Sequence, residues 1–367
     1  MRFSGAIATT HPYHFKVIFG LKSVPELVII RRPREDSRSK TGLGRYSDSV
    51  ESFVESCNLQ YEEIDAAIDL KGGFLSALSK GLIRPFFNVL KKCRSKDCIV
   101  HSTDELCGFF LPFVRGRRIL TIHHVIRPGE DRGRLYYHLW FFITRIAIKS
   151  ADCVIAVSPD TAEDVRLYFG RTEGVCTIFN SVSRIYVPIM SIVREDIIGV
   201  VAELIPRKNV SESIEAFQLL SEMEGMGGYR LLICGKGLCK DDLVSQIDRC
   251  GLSSKVEMVD SLEDDELVRF YNRAKLIFNT SKHEGVGMIT LEAGRCGTPV
   301  LCLSNAQIPD IVKDVAVRCD GPEDMAVRAF NLITDAELYA LESKRCIEKS
   351  RDFDNEFMSE MRRVYGL

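Results

Sequence analysis

Hydrophobic positions recur along the chain in short, β-branched runs, each separated from the next by a longer stretch with a helical pattern. Most of these runs are apolar throughout, which is typical of strands buried on both faces of a parallel sheet. Alternation of such strands with helices predicts an α/β fold in which parallel sheets are covered by helices. The predicted strands are residues 27–30, 98–100, 118–122, 153–157, 197–202, 230–234, 256–259, 276–280 and 299–303.

The alternation breaks at residues 178–196, where no helical pattern follows the strand. A chain of 367 residues is longer than one core usually supports, so the break predicts a boundary between two domains. We expect one α/β domain at 1–186 and a second at 187–349. Residues 350–367 predict a C-terminal helix, packed back toward the first domain, because their apolar positions recur every three or four residues.

Composition and charge exclude several other classes of protein. Hydrophobic residues make up 46% of the chain and charged residues 27%, as in ordinary soluble enzymes. The formal net charge of −2 argues against a nucleic-acid-binding protein, whose surface is usually strongly basic. The 13 cysteines contain no Cys-x-x-Cys pair and the 7 histidines form no spaced set, so neither disulfides nor a metal site is predicted.

The sequence predicts neither a signal peptide nor a membrane span. Its first residues lack a continuous apolar segment and a cleavage site. The longest apolar segment, residues 135–148, contains Arg145 and is shorter than the roughly 20 residues that a bilayer requires. The cysteines, which stand inside apolar runs and show no disulfide pattern, fit a reducing cytoplasm, so we expect a cytoplasmic protein.

The stretch KHEGVGMITLEAGRCGTPV, residues 282–300, combines glycines with two glutamates directly after a predicted strand. A turn at the carboxyl edge of a parallel sheet is where such folds bind ligands. The backbone N–H groups of Gly287, Met288 and Ile289 would begin the following helix and favour an anion such as phosphate. Gly285 and Gly287 would let the backbone approach that ligand closely.

Glu284 and Glu292 are the two glutamates of this stretch. Eight residues of helix span about 12 Å, whereas a glycosidase acid and base lie roughly 5 to 10 Å apart. The spacing therefore favours two contacts with one extended ligand over an acid and base pair. The structural alternative is a helix-start charge for Glu284 and a solvated helix residue for Glu292.

Three segments together resemble family 4 of the glycosyltransferases: FNTSKHEGVGMITLEAGRCGTPVL (278–301), VVAELIPRKNVSESIEAF (200–217) and ADCVIAVSPDTAEDV (151–165). The resemblance extends from about residue 42 to the C-terminus. It implies the GT-B fold, with two Rossmann-like α/β domains whose parallel sheets face a cleft. It also implies transfer of a hexosyl group from a nucleotide sugar to an acceptor, with retention of configuration and without a metal or other cofactor.

The resemblance implies roles for the glutamates and for nearby cations. Glu284 would bind hydroxyl groups of the donor sugar, and Glu292 would bind the ribose. The family has an arginine and then a lysine after the first strand of the second domain, and both cations stabilise the departing diphosphate. Lys208 matches the lysine, Glu203 stands in the place of the arginine, and Arg207 is the residue that would compensate. The structural alternative for Arg207 and Lys208 is a pair of surface charges.

Four further residues acquire roles from the resemblance. His123 matches the family's histidine beside the reacting sugar, and its structural alternative is a cap on a buried strand end. Gly42 and Gly44 match the first glycine loop, which lies beside the diphosphate and the acceptor. Gly235 would lie near the donor nucleotide. Residues 1–9, ahead of this pattern, predict an extra edge strand.

Residues 80–98, KGLIRPFFNVLKKCRSKDC, carry six basic residues and one acidic residue among apolar ones. Residues 109–118 repeat this mixture. Peripheral membrane contact through the first domain is one interpretation, because basic amphipathic segments can lie on anionic membrane surfaces, and an enzyme acting on a lipid-linked rather than a carbohydrate acceptor would need such contact. The structural alternative is a helix whose apolar face packs on the sheet.

Two other functions fit the same residues. One is a nucleotide-sugar epimerase or hydrolase of the same fold. The other is a catalytically silent subunit or nucleotide-sugar binding protein, which Glu203 suggests because a carboxylate would repel a diphosphate. Several sugars, bases and acceptors are compatible with the sequence.

Overall fold

The computed structural model describes residues 27–32, 42–66, 83–93, 96–126 and 134–367, without the side chains of 42–45 and 134–135. Two sheets of six parallel strands lie in this part of the chain, and helices cover both. The α/β class predicted from the hydrophobic pattern is therefore confirmed. The predicted edge strand at 1–9 lies outside the described residues.

The first sheet has the strand order β2-β1-β3-β4-β5-β6, and every neighbouring pair is parallel. Its strands are β1 (Leu27–Arg31), β2 (Tyr61–Asp65), β3 (Ile99–Ser102), β4 (Arg117–Ile122), β5 (Cys153–Ala156) and β6 (Val175–Thr177). Its helices are α1 (Gly42–Ser56), α2 (Arg84–Lys92), a 3₁₀ helix (Cys107–Phe113), α3 (Arg134–Ser150) and α4 (Pro159–Phe169).

The second sheet has the order β12-β11-β10-β7-β8-β9 and is also parallel. Its strands are β7 (Ile197–Val201), β8 (Arg230–Cys234), β9 (Val256–Val259), β10 (Leu276–Asn279), β11 (Val300–Leu303) and β12 (Val317–Cys319). Its helices are a 3₁₀ turn (Pro206–Lys208), α5 (Val210–Glu222), α6 (Lys240–Arg249), α7 (Asp264–Arg273), α8 (Met288–Arg295), α9 (Asp310–Lys313) and α10 (Pro322–Thr334).

Each of the nine predicted strands is present. The strands that the pattern missed, β2, β6 and β12, all lie at a sheet edge. Edge strands are covered on fewer sides than central ones, so their sequences, YEEID, VCT and VRC, lack the continuous apolar character of the central strands. Residues 178–196, between the two sheets, contain neither helix nor strand.

The last helix, α11 (Ala336–Tyr365), joins the two halves of the molecule. Phe353 is buried in the core of the second domain, whereas Phe357 and Met361 are buried in the first, against Phe53 of α1. The predicted helix at 350–367 is the second half of this longer helix, which begins where the Asp335 carboxylate accepts the N–H groups of residues 337 and 338.

Candidate functional site

The loop between β10 and α8 forms the centre of the site. Gly287 has a φ of +87° directly before α8, a left-handed conformation that favours glycine. Met288 and Ile289 follow in the first helical turn, where backbone N–H groups have no carbonyl partner within the helix. A Cβ atom built on Gly285 would meet no other atom within 4 Å, so the backbone there borders open space.

Glu284 is the residue of this loop on which two cations converge. The Nζ atom of Lys208 lies 2.5 Å from Glu284 Oε1, and Arg207 Nη1 lies 3.6 Å from Oε2. The Lys208 and Glu284 side chains are only 11% and 10% exposed, whereas that of Arg207 is 42% exposed. Lys208 is therefore not a surface charge, and the predicted cation and carboxylate lie together.

The backbone of this loop is held by two neighbouring loops. The Lys282 N–H donates to the Arg207 carbonyl at 2.9 Å, and the Glu284 N–H donates to the Gln307 carbonyl at 3.0 Å. Gln307 also contacts the ring of His283, with 3.1 Å between Oε1 and Nδ1. Sequence reasoning missed Gln307, whose only signal is its position shortly after strand β11.

Glu292 is buried on α8, with 1% of its surface exposed, so it is not a solvated helix residue. The hydroxyl group of Tyr271, from α7, donates to Glu292 Oε2 at 3.2 Å. A buried carboxylate whose oxygens accept hydrogen bonds is suited to receive further donors such as sugar hydroxyl groups. Tyr271 was not found from the sequence because a tyrosine in an amphipathic helix usually belongs to the core.

Gly235 supports the loop that carries Glu203. A Cβ atom at Gly235 would lie 1.7 Å from the Ala202 carbonyl oxygen, and one at Gly237 would lie 2.2 Å from that of Leu204. The Leu204 N–H donates to the Lys236 carbonyl at 2.7 Å, which fastens the two loops together. Both glycines are thus required by close backbone packing, and Glu203, in the loop that they support, is exposed.

In the first domain, His123 follows β4 and is oriented by its neighbours. Its Nε2 atom lies 2.9 Å from the Thr103 carbonyl oxygen, and its ring meets that of Tyr46 edge-on at 4.8 Å. Because a carbonyl oxygen only accepts, Nε2 carries the proton and Nδ1 keeps its lone pair. Burial holds the pKa of His123 below its usual value, so the ring is neutral at pH 7.

A buried polar cluster lies beside His123 at the carboxyl ends of β1 and β3. Arg32 donates to Asp104 Oδ2 through Nε at 3.0 Å and Nη2 at 2.7 Å, and Asp104 Oδ1 accepts the Leu106 N–H at 2.9 Å. Next to it, burial and the nearby Asp104 raise the pKa of Glu105 to about 8. The sequence signal for these residues, polar side chains directly after an apolar strand, was present and was missed.

Gly42 and Gly44 lie in the first turn of α1, which begins at Gly42. The contacts of this turn lie outside the described part of the chain. The two domains meet where His283 Nε2 lies 4.0 Å from Oδ2 of Asp160, in the first turn of α4. Asp160 follows β5 and His283 follows β10, so the carboxyl edges of both sheets face each other at the cleft.

Comparison with known proteins shows similarity to glycosyltransferases. The family model "Glycosyl transferases group 1" matches residues 190–353. The chain is 25% identical over 254 residues to the O-antigen chain mannosyltransferase B of Escherichia coli, an alignment that covers 65% of each chain. It is 26% identical over 278 residues to the serotype-specific mannosyltransferase WbdA of Escherichia coli, covering 70% of this chain and 32% of that protein. The chain thus spans less than two thirds of the length of these relatives.

Solved structures show the same fold. The structure of Anabaena Alr3699/HepE, described in complex with UDP and glucose, superposes with a TM-score of 0.63 at 16% sequence identity. The superposition covers 94% of this chain and 100% of that one. The GT-B fold predicted from the sequence is confirmed.

Proposed function

Because residues 190–353 match the group 1 glycosyltransferase model and the chain has the GT-B fold, we propose that it is a glycosyltransferase of this family. It would transfer a hexosyl group from a nucleotide sugar to a carbohydrate or lipid-linked acceptor. The observation that carries this proposal is the convergence of Lys208 and Arg207 on Glu284, beside the glycine-led start of α8. We further propose that transfer proceeds with retention and without a bound metal, in the cytoplasm or at a membrane surface.

The donor would extend along the loop and the helix that follow β10. Its diphosphate would lie at the start of α8, where N–H groups of Met288 and Ile289 and the helix dipole favour negative charge. Glu284, oriented by Lys208, would accept hydroxyl groups of the hexose. Glu292 would accept those of the ribose, because its carboxylate is buried and already fixed by Tyr271.

The reaction breaks the bond between the anomeric carbon and the diphosphate oxygen, and both electrons leave with that oxygen. Lys208 and Arg207 stabilise this charge because they are positioned before it develops. The acceptor oxygen forms the new bond to the anomeric carbon from the same face, and its proton passes to an oxygen of the departing diphosphate. No enzyme nucleophile is required, and the neutral His123 would accept a hydrogen bond from a sugar hydroxyl group.

The site differs from the family pattern at Glu203. Its side chain is exposed, and a carboxylate in water can point away from a diphosphate at little cost. Arg207 is four positions further along the same loop, and its guanidinium already lies 3.6 Å from Glu284. We propose that Arg207 supplies the second cation.

A thermal-shift screen with UDP, GDP, ADP and their sugars tests donor binding, because a ligand of the native state raises its apparent stability. GDP-mannose and UDP-glucose are the first choices, since the relatives are described as mannosyltransferases and a structural neighbour as a complex with UDP and glucose. Product analysis then separates the functions. Slow hydrolysis that an acceptor converts to transfer supports the proposal. An epimerised sugar, or tight binding without turnover on any acceptor, contradicts it.

A further inference from the structure

One side of the first domain presents apolar rings to solvent. It is formed by α2, the 3₁₀ helix and α3, which cover the same core of the first sheet. We call it the aromatic-basic face. Its exposed apolar residues are Ile83, Phe87, Leu90, Phe113, Leu139 and Phe142, and its exposed basic residues are Arg84, Lys91, Arg115, Arg145 and Lys149.

Exposed aromatic rings occur on both α2 and α3, and those of α2 are connected to the 3₁₀ helix. Phe87 is 64% exposed and Phe142 is 60% exposed, although both are large apolar side chains. Phe86 contacts Phe87 at 5.8 Å between ring centroids and Phe113 at 4.8 Å, which links α2 to the 3₁₀ helix. A cluster of exposed apolar residues, unlike a single one, indicates a surface that is covered in the working protein.

The three helices of this face carry basic residues but no acidic ones. Residues 84–92, 107–113 and 134–150 contain no aspartate or glutamate, in a chain with 51 acidic residues. Lys92 is paired with Glu62 at 2.5 Å at the border of the face. Exposed rings among basic side chains without carboxylates match the boundary of an anionic bilayer, where rings enter the headgroup region and cations meet lipid phosphates.

The face reaches the edge of the cleft. In a parallel sheet the connecting helices run opposite to the strands, so the first turns of α2 and α3 lie at the carboxyl edge. That edge carries His123, and the first half of each helix carries Phe87 or Leu139. A bilayer on this face would therefore hold lipid headgroups next to the cleft.

We propose that the aromatic-basic face docks on the surface of an anionic lipid bilayer, with Phe87 and Phe142 entering the headgroup region and Lys91 and Arg145 binding lipid phosphates. Among the described helices, none is both long and apolar enough to cross a membrane. Docking would bring the cleft to a lipid-linked acceptor, and this part of the inference rests on the proposed function.

The test is co-sedimentation of the full chain with vesicles of phosphatidylcholine alone and of phosphatidylcholine with phosphatidylglycerol. We expect binding to the mixed vesicles that weakens with salt. The variants Phe87→Ser/Phe142→Ser and Lys91→Glu/Arg145→Glu should each lower the partition coefficient about tenfold or more. The matched controls Leu167→Ser, an exposed leucine on α4, and Arg351→Glu, an exposed arginine on α11, should bind like the parent.

Equal binding to neutral vesicles, no binding, or unchanged binding of both double variants would overturn the proposal. So would a concentration-dependent dimer that the phenylalanine variant abolishes, because the face would then pair with a second copy. Donor hydrolysis in solution, measured on the same variants, tests the proposed function separately from membrane docking. Hydrolysis should persist in the surface variants. If the parent itself does not hydrolyse the donor, that result contradicts the proposed function and leaves the docking proposal standing.

Discussion

Lys208 Nζ and Glu284 Oε1 lie 2.5 Å apart in a pair that is almost shielded from water, with side chains 11% and 10% exposed. The two residues are 76 positions apart in the sequence but follow the neighbouring strands β7 and β10. Two shielded opposite charges fix each other's position because separating them would leave each one poorly solvated. The pair therefore presents an oriented carboxylate and a fixed cation at the same point of the cleft.

The variant Lys208→Met should lower kcat by about 10² to 10³ fold, because it removes a fixed charge from the departing diphosphate while keeping most of the side-chain volume. Steady-state kinetics of donor consumption measure the effect, and melting temperatures check the fold. Lys344→Met is the matched control, since Lys344 is 75% exposed on α11. An unchanged kcat in Lys208→Met would exclude Lys208 from leaving-group stabilisation.

Replacing Arg207 should affect donor turnover more than replacing Glu203. Arg207→Ala should lower kcat/KM for the donor about tenfold, less than Lys208→Met because the partly exposed guanidinium is screened by water. Glu203→Gln should change kcat/KM by less than about fivefold, since an exposed charge contributes little. A large gain in donor affinity for Glu203→Gln would show instead that its carboxylate faces the diphosphate.

Substitution of Gly285 tests whether this glycine borders the donor or is needed for the fold. A Cβ atom there meets nothing within 4 Å, so Gly285→Ala should keep the melting temperature of the parent. If the donor occupies the open space, the same methyl group should raise the KM for the donor about tenfold by steric overlap. Gly228→Ala, where a Cβ also meets nothing within 4 Å, controls for glycine replacement in general. Equal KM values for the two variants would place the donor elsewhere.

The strands that the hydrophobic pattern predicted are mainly those buried on both faces of a sheet. Central strands such as β7, IIGVV, and β11, VLCL, are apolar because sheet and helices enclose them, whereas the edge strand β2, YEEID, carries the polar residues that partial exposure allows. Hydrophobic patterning therefore identified the central strands of both sheets, but not their order, and left three edge strands unseen.

The residues of the candidate site that lie within one sequence motif could be predicted from the sequence. Glu284, Gly287 and Glu292 lie within one turn and helix, and their burial follows from that local order. Tyr271 and Asp104 were missed because their positions result from the packing of segments distant in the sequence. Tyr271 looks like a core residue of an amphipathic helix, and the Arg32–Asp104 pair depends on β1 and β3 being neighbours.

Glu292 should recognise the ribose specifically. Glu292→Gln should weaken binding of the nucleoside diphosphate about tenfold to hundredfold, because a hydrogen bond to a charged group contributes about 1.5 to 3 kcal/mol. Binding of a diphosphate whose ribose lacks both hydroxyl groups should change little, and calorimetric titration measures both. Tyr271→Phe, which removes only the hydroxyl that orients Glu292, should have a smaller effect. Equal losses for both ligands would assign Glu292 to the fold rather than to the ribose.

His101 links α11 to the first sheet and makes this link sensitive to acid. Its Nδ1 lies 2.7 Å from the Tyr365 hydroxyl and its Nε2 lies 2.8 Å from Thr121 Oγ1, and the ring is fully buried. Burial, with a smaller contribution from the nearby His123, lowers the pKa of His101 to about 3. In the unfolded chain the imidazole has a pKa of about 6.5, so below that pH the unfolded chain binds a proton that the folded chain excludes.

The free energy of unfolding should therefore fall by about 1.4 kcal/mol for each pH unit below 6.5 on account of His101, and above pH 6.5 this residue should contribute no slope. Urea titrations from pH 7.5 to 4.5 measure the slope in the parent, in His101→Asn and in His138→Asn, which replaces an exposed histidine of α3. His101→Asn should be less stable at pH 7.5 but should lose stability less steeply on acidification, because no proton binds at that position. Parallel slopes in the parent and His101→Asn would show that His101 is not the group that makes the junction of α11 sensitive to acid.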